Sequence, residues 1–117
     1  MSTQYFGAGT FLANEVITAF RLVSISSNGG VGLSATAGVV DGVAQIDAAS
    51  GGYVSVKFIH DGGTQKGTLL AGPITIGNTL YAGASGQLSL AGTVTVGRSL
   101  TTTASSGAVI EFVAENL

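Results

Sequence analysis

Cysteine and tryptophan are absent from this 117-residue chain, histidine and proline occur once each, and charge is scarce. Without cysteine there are no disulfides and no thiolate metal ligands. With His60 as the single histidine, an ordinary zinc site cannot be assembled. Charged residues make up 9% of the chain, against roughly 25% in ordinary soluble domains. The four basic residues, Arg21, Lys57, Lys66 and Arg98, are scattered. A nucleic-acid surface needs them clustered to neutralise phosphates, so nucleic acid is not an expected partner. Residues 67–97 carry no charge, yet Gly, Ser, Thr and Asn interrupt every apolar run. A membrane helix needs ~20 consecutive apolar residues, so none is expected. The N-terminus lacks the basic start and apolar block of a signal peptide. The expected location is therefore a cytoplasm, where the protein is made and kept or from which it is released by lysis.

What is present is apolar and small. Hydrophobic residues make up 45% of the chain, Gly contributes 19 residues, and the net charge is -2. The length fits one domain with a modest core. A monomer with so little charge is poorly soluble on its own. Burying surface in a permanent assembly is the way out, so an oligomer or lattice component is expected.

Residues 72–113 carry the clearest pattern. Apolar residues alternate with Ser, Thr or Gly: Ile74 and Ile76, Leu88 and Leu90, Val94 and Val96, Ile110 and Phe112. That period of two marks half-buried strands, and the Gly-Asn, Ala-Ser-Gly, Ala-Gly and Ser-Ser-Gly steps between them mark turns. Pro73 cannot donate to a ladder and belongs at a strand start or an edge. Four or five short antiparallel strands are expected. An offset of 56 sets Val40 on Val96, Ala48 on Ala104, Ser50 on Ser106, Gly51 on Gly107, and Val54 and Val56 on Ile110 and Phe112. An offset of 57 sets Val31 and Leu33 on Leu88 and Leu90. An internal duplication and a chance match of Gly and Ala both account for this. If the duplication is real, it implies two similar β-units packed together, because a solenoid needs more repeats.

The first half reads as strands at 18–27, 31–34, 39–46 and 53–59, with Gly42 a candidate bulge. The 18–27 strand has apolar groups on both faces, which suits a strand between two layers. In 53–59 the set Val54, Val56 and Phe58 is the better core face. His60–Gly63 reads as the joint between the halves, and Thr64–Leu70 as a short linking strand. Residues 11–20 have weak helical potential, because Val16, Ile17 and Thr18 favour strand. The fold class expected is all-β: a small antiparallel barrel or sandwich of two similar units with an extended N-terminal segment. The segment is 1–17 and the β-domain is 18–117. Three of the aromatics, Tyr5, Phe6 and Phe11, fall in that segment. It is either tucked on the sheet or an arm that docks on a partner, with Tyr5, Phe6, Phe11 and Leu12 as the candidate contacts.

Nothing in the pattern assembles catalytic chemistry. Neighbours in an extended segment point in opposite directions, so His60 and Asp61 do not form a base and its orienting carboxylate. The acids Glu15, Asp41, Asp47, Asp61, Glu111 and Glu115 lack calcium-loop spacing. Only an accident of folding would pair Asp41 with Asp47. Gly7-Ala8-Gly9-Thr10 is a fragment of a phosphate loop without its lysine. Gly83-Ala84-Ser85-Gly86 is one residue short of a nucleophile elbow. Both are simplest as turn glycines. No enzyme activity, cofactor or metal is expected.

Three stretches resemble the small phage capsid decoration proteins, also called cement or head-stabilising proteins. The first is Val39-Val-Asp-Gly-Val-Ala-Gln-Ile-Asp-Ala-Ala-Ser-Gly-Gly-Tyr-Val-Ser-Val. The second runs from Gly72 to Leu88 and contains Ile76-Gly-Asn-Thr-Leu-Tyr-Ala, and the third, its continuation, runs from Val96 to Phe112. The likeness spans roughly residues 20–113. It departs from the family at Arg98-Ser99-Leu100 and in the aromatic N-terminal segment. The resemblance implies a structural virion protein on the outer surface of a phage capsid, after a stage in the host cytoplasm. It implies the major capsid protein as partner and self-association as a homotrimer. Other readings are a tail or fibre β-domain, or a carbohydrate-binding or adhesin module. With no Trp and only Tyr5, Tyr53 and Tyr81, a sugar site has few aromatic platforms.

Overall fold

The computed structural model describes residues 8–35, 39–59, 64–103 and 105–114. The first half contains β1 (Ala8–Leu12), β2 (Leu22–Ile25), β3 (Val31–Leu33), β4 (Gly42–Ala44) and β5 (Tyr53–Phe58). The second contains β6 (Thr64–Thr68), β7 (Thr79–Ala82), β8 (Leu88–Ser89), β9 (Thr95–Ser99) and β10 (Val109–Ala114). Among the described residues there is no α-helix; Ala84–Gly86 forms a 3-10 turn. Every strand ladder is antiparallel. The strands form two five-stranded sheets, ordered β1-β5-β4-β2-β3 and β6-β10-β9-β7-β8.

The second order is the first advanced by five strands, and the likeness extends to register. Leu12 opposes Tyr53, and Thr68 opposes Val109. Ser24 opposes Gly32, and Tyr81 opposes Ser89. Isolated bridges repeat as well: Ala13–Val31 with Leu69–Leu88, and Ile17–Ala48 with Ile74–Thr103. The molecule is therefore two copies of one β-unit. The offset is 56 for β1 and β5, 57 for β2 and β3, and 55 for β4, as the paired registers require. At that local offset Val40 meets Thr95 rather than Val96, and Ala48 meets Thr103 rather than Ala104. Each unit curls until the chain just past its first strand touches its third. That contact is one parallel bridge, Ala13–Val31 or Leu69–Leu88, so each sheet stays open and no barrel closes.

Alternation decides what each unit encloses. The first core is Ala13, Ile17, Val23, Val31, Ala44, Val54 and Val56. The matching positions Leu69, Ile74, Leu80, Leu88, Ile110 and Phe112 belong to the second core. Ser99 takes the place of Ala44 and is also buried. Its hydroxyl is satisfied by donating to Thr101 O at 2.7 Å, as a buried polar group requires.

The second core has four extra members from the first unit: Leu22, Val40, Val43 and Ile59. Leu22 pairs with Val43, and Val43 with Lys57. These side chains therefore lie on the outer face of the first sheet, opposite Val23, Ala44 and Val56. The second unit covers that face, and Leu22 and Val43 are both fully buried. Fully burying one such side chain is worth about 1.5–3 kcal/mol, which makes this face the main joint between the units. β2 thus lies between two layers, as its two apolar faces imply. Along β5 the outer face passes from solvent to joint: Tyr53 is 69% exposed and Ile59 is 6%.

Several local expectations differ from the structure. Phe20 is not inside a strand. It sits in a turn with φ of 64°, held because its N–H donates to Ala44 O and its carbonyl accepts from Thr68 N. The 39–46 strand shrinks to Gly42–Ala44. Before it, Val39 O accepts the hydroxyls of Ser24 and Ser34, and Asp41 accepts Ile25 N–H. Gly42 is not a bulge, since its register against Phe58 runs on without a shift. Its role is close approach, because a Cβ there would lie 2.5 Å from Val56 Cγ1 and 2.7 Å from Lys57 O. The bulge falls between Leu80 and Tyr81 instead. Ile74 is buried, but Ile76 is 62% exposed. After a single bridge at Ile74 the chain turns, with Asn78 N donating to Thr75 O.

Candidate functional site

Of the four candidate contact residues, Tyr5 and Phe6 lie outside the described residues. Phe11 and Leu12 are in β1, which among the described residues pairs only with β5 and forms an edge of the first sheet. Alternation separates the two. Phe11 turns inward and packs against the first core. Its ring meets Phe58 edge to face, with centroids 5.9 Å apart and planes at 80°. Leu12 turns outward, 40% exposed, opposite Tyr53. The structure therefore brings together Leu12 and Tyr53 as an exposed apolar pair, flanked by Thr10 and Ser55 on the same face. In the sequence Tyr53 stands out as a strand residue and one of three tyrosines, not as a partner of Leu12. Its value as a surface group follows from the register.

Backbone geometry adds to this surface. Ala13 N–H donates to Gly52 O, and Gly51 N–H donates to Ala13 O. Ala13, Phe11 and Gly9 thus direct their backbone groups towards β5. By alternation, Leu12, Thr10 and Ala8 direct theirs away from it. β1 carries no charge and no proline, the usual devices that blunt an exposed edge.

A second feature lies where the units meet. Phe20, Gln45, Lys57, Thr64, Gln65, Lys66 and Glu111 line an open groove of about 340 Å³. Its polar groups mainly hold the joint. Lys57 Nζ donates to Thr64 O at 2.9 Å, and Gln65 Nε2 donates to Phe58 O at 3.0 Å. Lys66 Nζ stands 5.7 Å from the Phe20 ring centroid, and Lys66 faces Glu111 across the β6–β10 register. Gln65 Oε1 is buried there without a hydrogen-bond partner.

Three carboxylates serve the backbone. Glu15 accepts from Leu33 N at 2.9 Å, Asp41 from Ile25 N at 2.7 Å, and Asp47 from Ala19 N at 2.7 Å. Asp41 and Asp47 thus pin different loops and do not form a catalytic pair. Among the described residues, no three metal-ligating side chains cluster. His60 and Asp61 lie outside those residues. Ala8–Thr10 is strand, and Ala84–Gly86 is the turn between β7 and β8.

No protein-family model and no curated protein sequence matches the chain. A solved structure does. The chain is similar to the head fiber gp8.5 N base of bacteriophage phi29. The TM-score is 0.77 at 18% sequence identity, and the match covers 98% of this chain and 95% of that one. The likeness is one of fold, and it extends over nearly the whole of both chains.

Proposed function

We propose that the chain is a structural, non-catalytic protein of a phage particle, seated on the head. The observation that carries the reading is the near full-length likeness to a head fiber base. The sequence's resemblance to capsid decoration proteins is independent support. The finer reading is a decoration protein on the outer capsid surface. There it binds the major capsid protein, self-associates as a homotrimer and stabilises the lattice, after a stage in the host cytoplasm. The physics suits this role. Each unit is stiffened by its own alternating core, Glu15, Asp41 and Asp47 bind the chain's own backbone, and apolar side chains remain exposed on β1 and β5. Modest contacts repeated over a lattice add up through multivalency.

A second reading, the base of a head fibre, is favoured by the nature of the structural neighbour. Both readings predict attachment to heads and differ in copy number. The test is co-sedimentation of the purified chain with heads lacking it. Saturable binding is expected, together with greater resistance of the heads to heat under the decoration reading. Failure to sediment with heads at any concentration contradicts both.

A further inference from the structure

The joint between the units has two halves, and the molecule carries a second copy of each that is exposed among the described residues. One half is an end. In the second unit Thr68 donates through N and Oγ1 to Phe20 O, at 2.9 and 3.0 Å. Ser85 O accepts from Arg21 Nη1 at 2.9 Å. Gly86 is buried, and a Cβ there would lie 2.5 Å from Leu22 O. The other half is a face, the apolar outer side of the first sheet at Leu22 and Val43.

The first unit's equivalent end is Leu12, Asn28 and Gly29. Gly29 keeps the left-handed conformation of Gly86, with φ of 85° against 73°, yet nothing lies within 4 Å of its Cβ position. Leu12 is 40% exposed where Thr68 is 7%. The second unit's equivalent face has Thr79 for Leu22 and Arg98 for Val43, both exposed. An apolar face has become polar and charged at two of the positions that make the joint.

We propose that the exposed end of the first unit is a docking end. It is shaped to seat on an apolar, uncharged sheet face of another protein, as its twin seats on the Leu22–Val43 face. Thr79 and Arg98 prevent a second copy of this chain from offering that face. Without them copies would stack head to tail into an open filament, since a heterologous contact does not close on itself. This rests on the geometry of the joint and is independent of the proposed virion role.

The test restores the face. The Thr79→Leu, Arg98→Val variant is compared with wild type by sedimentation velocity over a concentration series, with circular dichroism as the check on folding. Species larger than the wild-type ones are expected, with association strengthened roughly a hundredfold by two newly buried side chains. Adding Leu12→Asp returns the sedimentation to that of wild type. Thr79→Leu alone, which keeps Arg98, gives a smaller rise and serves if the double variant fails to fold. Folded variants that sediment as wild type at every concentration overturn the proposal. So does association that Leu12→Asp leaves unchanged.

Discussion

Residue by residue, position in the repeated unit decides worth more than residue type does. Ile74 and Ile76 look equivalent in the sequence, two apolar residues two positions apart. Only Ile74 occupies the bridge position that Ile17 fills in the first unit, and both are buried. Ile74→Ala is expected to cost about 2–5 kcal/mol, the range for a buried Ile. Ile76→Ala is expected to stay within about 0.5 kcal/mol, as for an exposed site. Urea unfolding of both variants checks this, and equal losses would contradict the assignment. Gly42 and its counterpart Gly97 carry a different constraint. A Cβ on Gly97 would fall on the Val113 carbonyl, and backbone cannot move aside as a side chain can. Gly97→Ala is expected to destabilise by about 1–3 kcal/mol or more, measurable as a lowered Tm.

Among the elements, the joint depends on β2 and β4. Leu22→Thr places in the first unit the residue found at Thr79, and leaves a hydroxyl inside the second core. A loss of about 2–4 kcal/mol is expected from the lost burial and the unpaired polar group. Because the second core contains Leu22, Val40, Val43 and Ile59, wild type is expected to unfold in one transition. Leu22→Thr is expected to broaden or split it in calorimetry; a single sharp transition at the wild-type Tm would contradict the joint. Much at this scale was legible in the sequence. Val54, Val56, Ile110 and Phe112 announce their strands because period-two alternation tracks burial directly. The duplication was visible at offsets of 56 and 57. The drift to 55 at β4 was not, because single-residue changes in loops leave no periodic trace. Phe20 could not be placed from the sequence. Its turn is set by Ala44 and Thr68, which lie far along the chain. The exposed Leu12–Tyr53 pair was half legible, since Leu12 was a candidate and Tyr53 needed the β1–β5 register.

For the whole molecule, two units joined face to end leave the Leu12–Asn28–Gly29 end of the first unit exposed among the described residues. β1 belongs to the first sheet, and Phe11 packs against its core. A truncation that tests the aromatic segment alone therefore stops at residue 7. Removing residues 2–7 is expected to weaken attachment to heads while leaving the far-ultraviolet dichroism unchanged. Undiminished binding would assign attachment to the described surface, with Leu12 and Tyr53, instead. The most direct test of the account is quantitative peptide mass spectrometry on purified phage particles from the source. The chain is expected in the particle, at copy numbers near those of the major capsid protein for a decoration role or well below them for a fibre base. Its absence from purified particles would contradict the virion role outright.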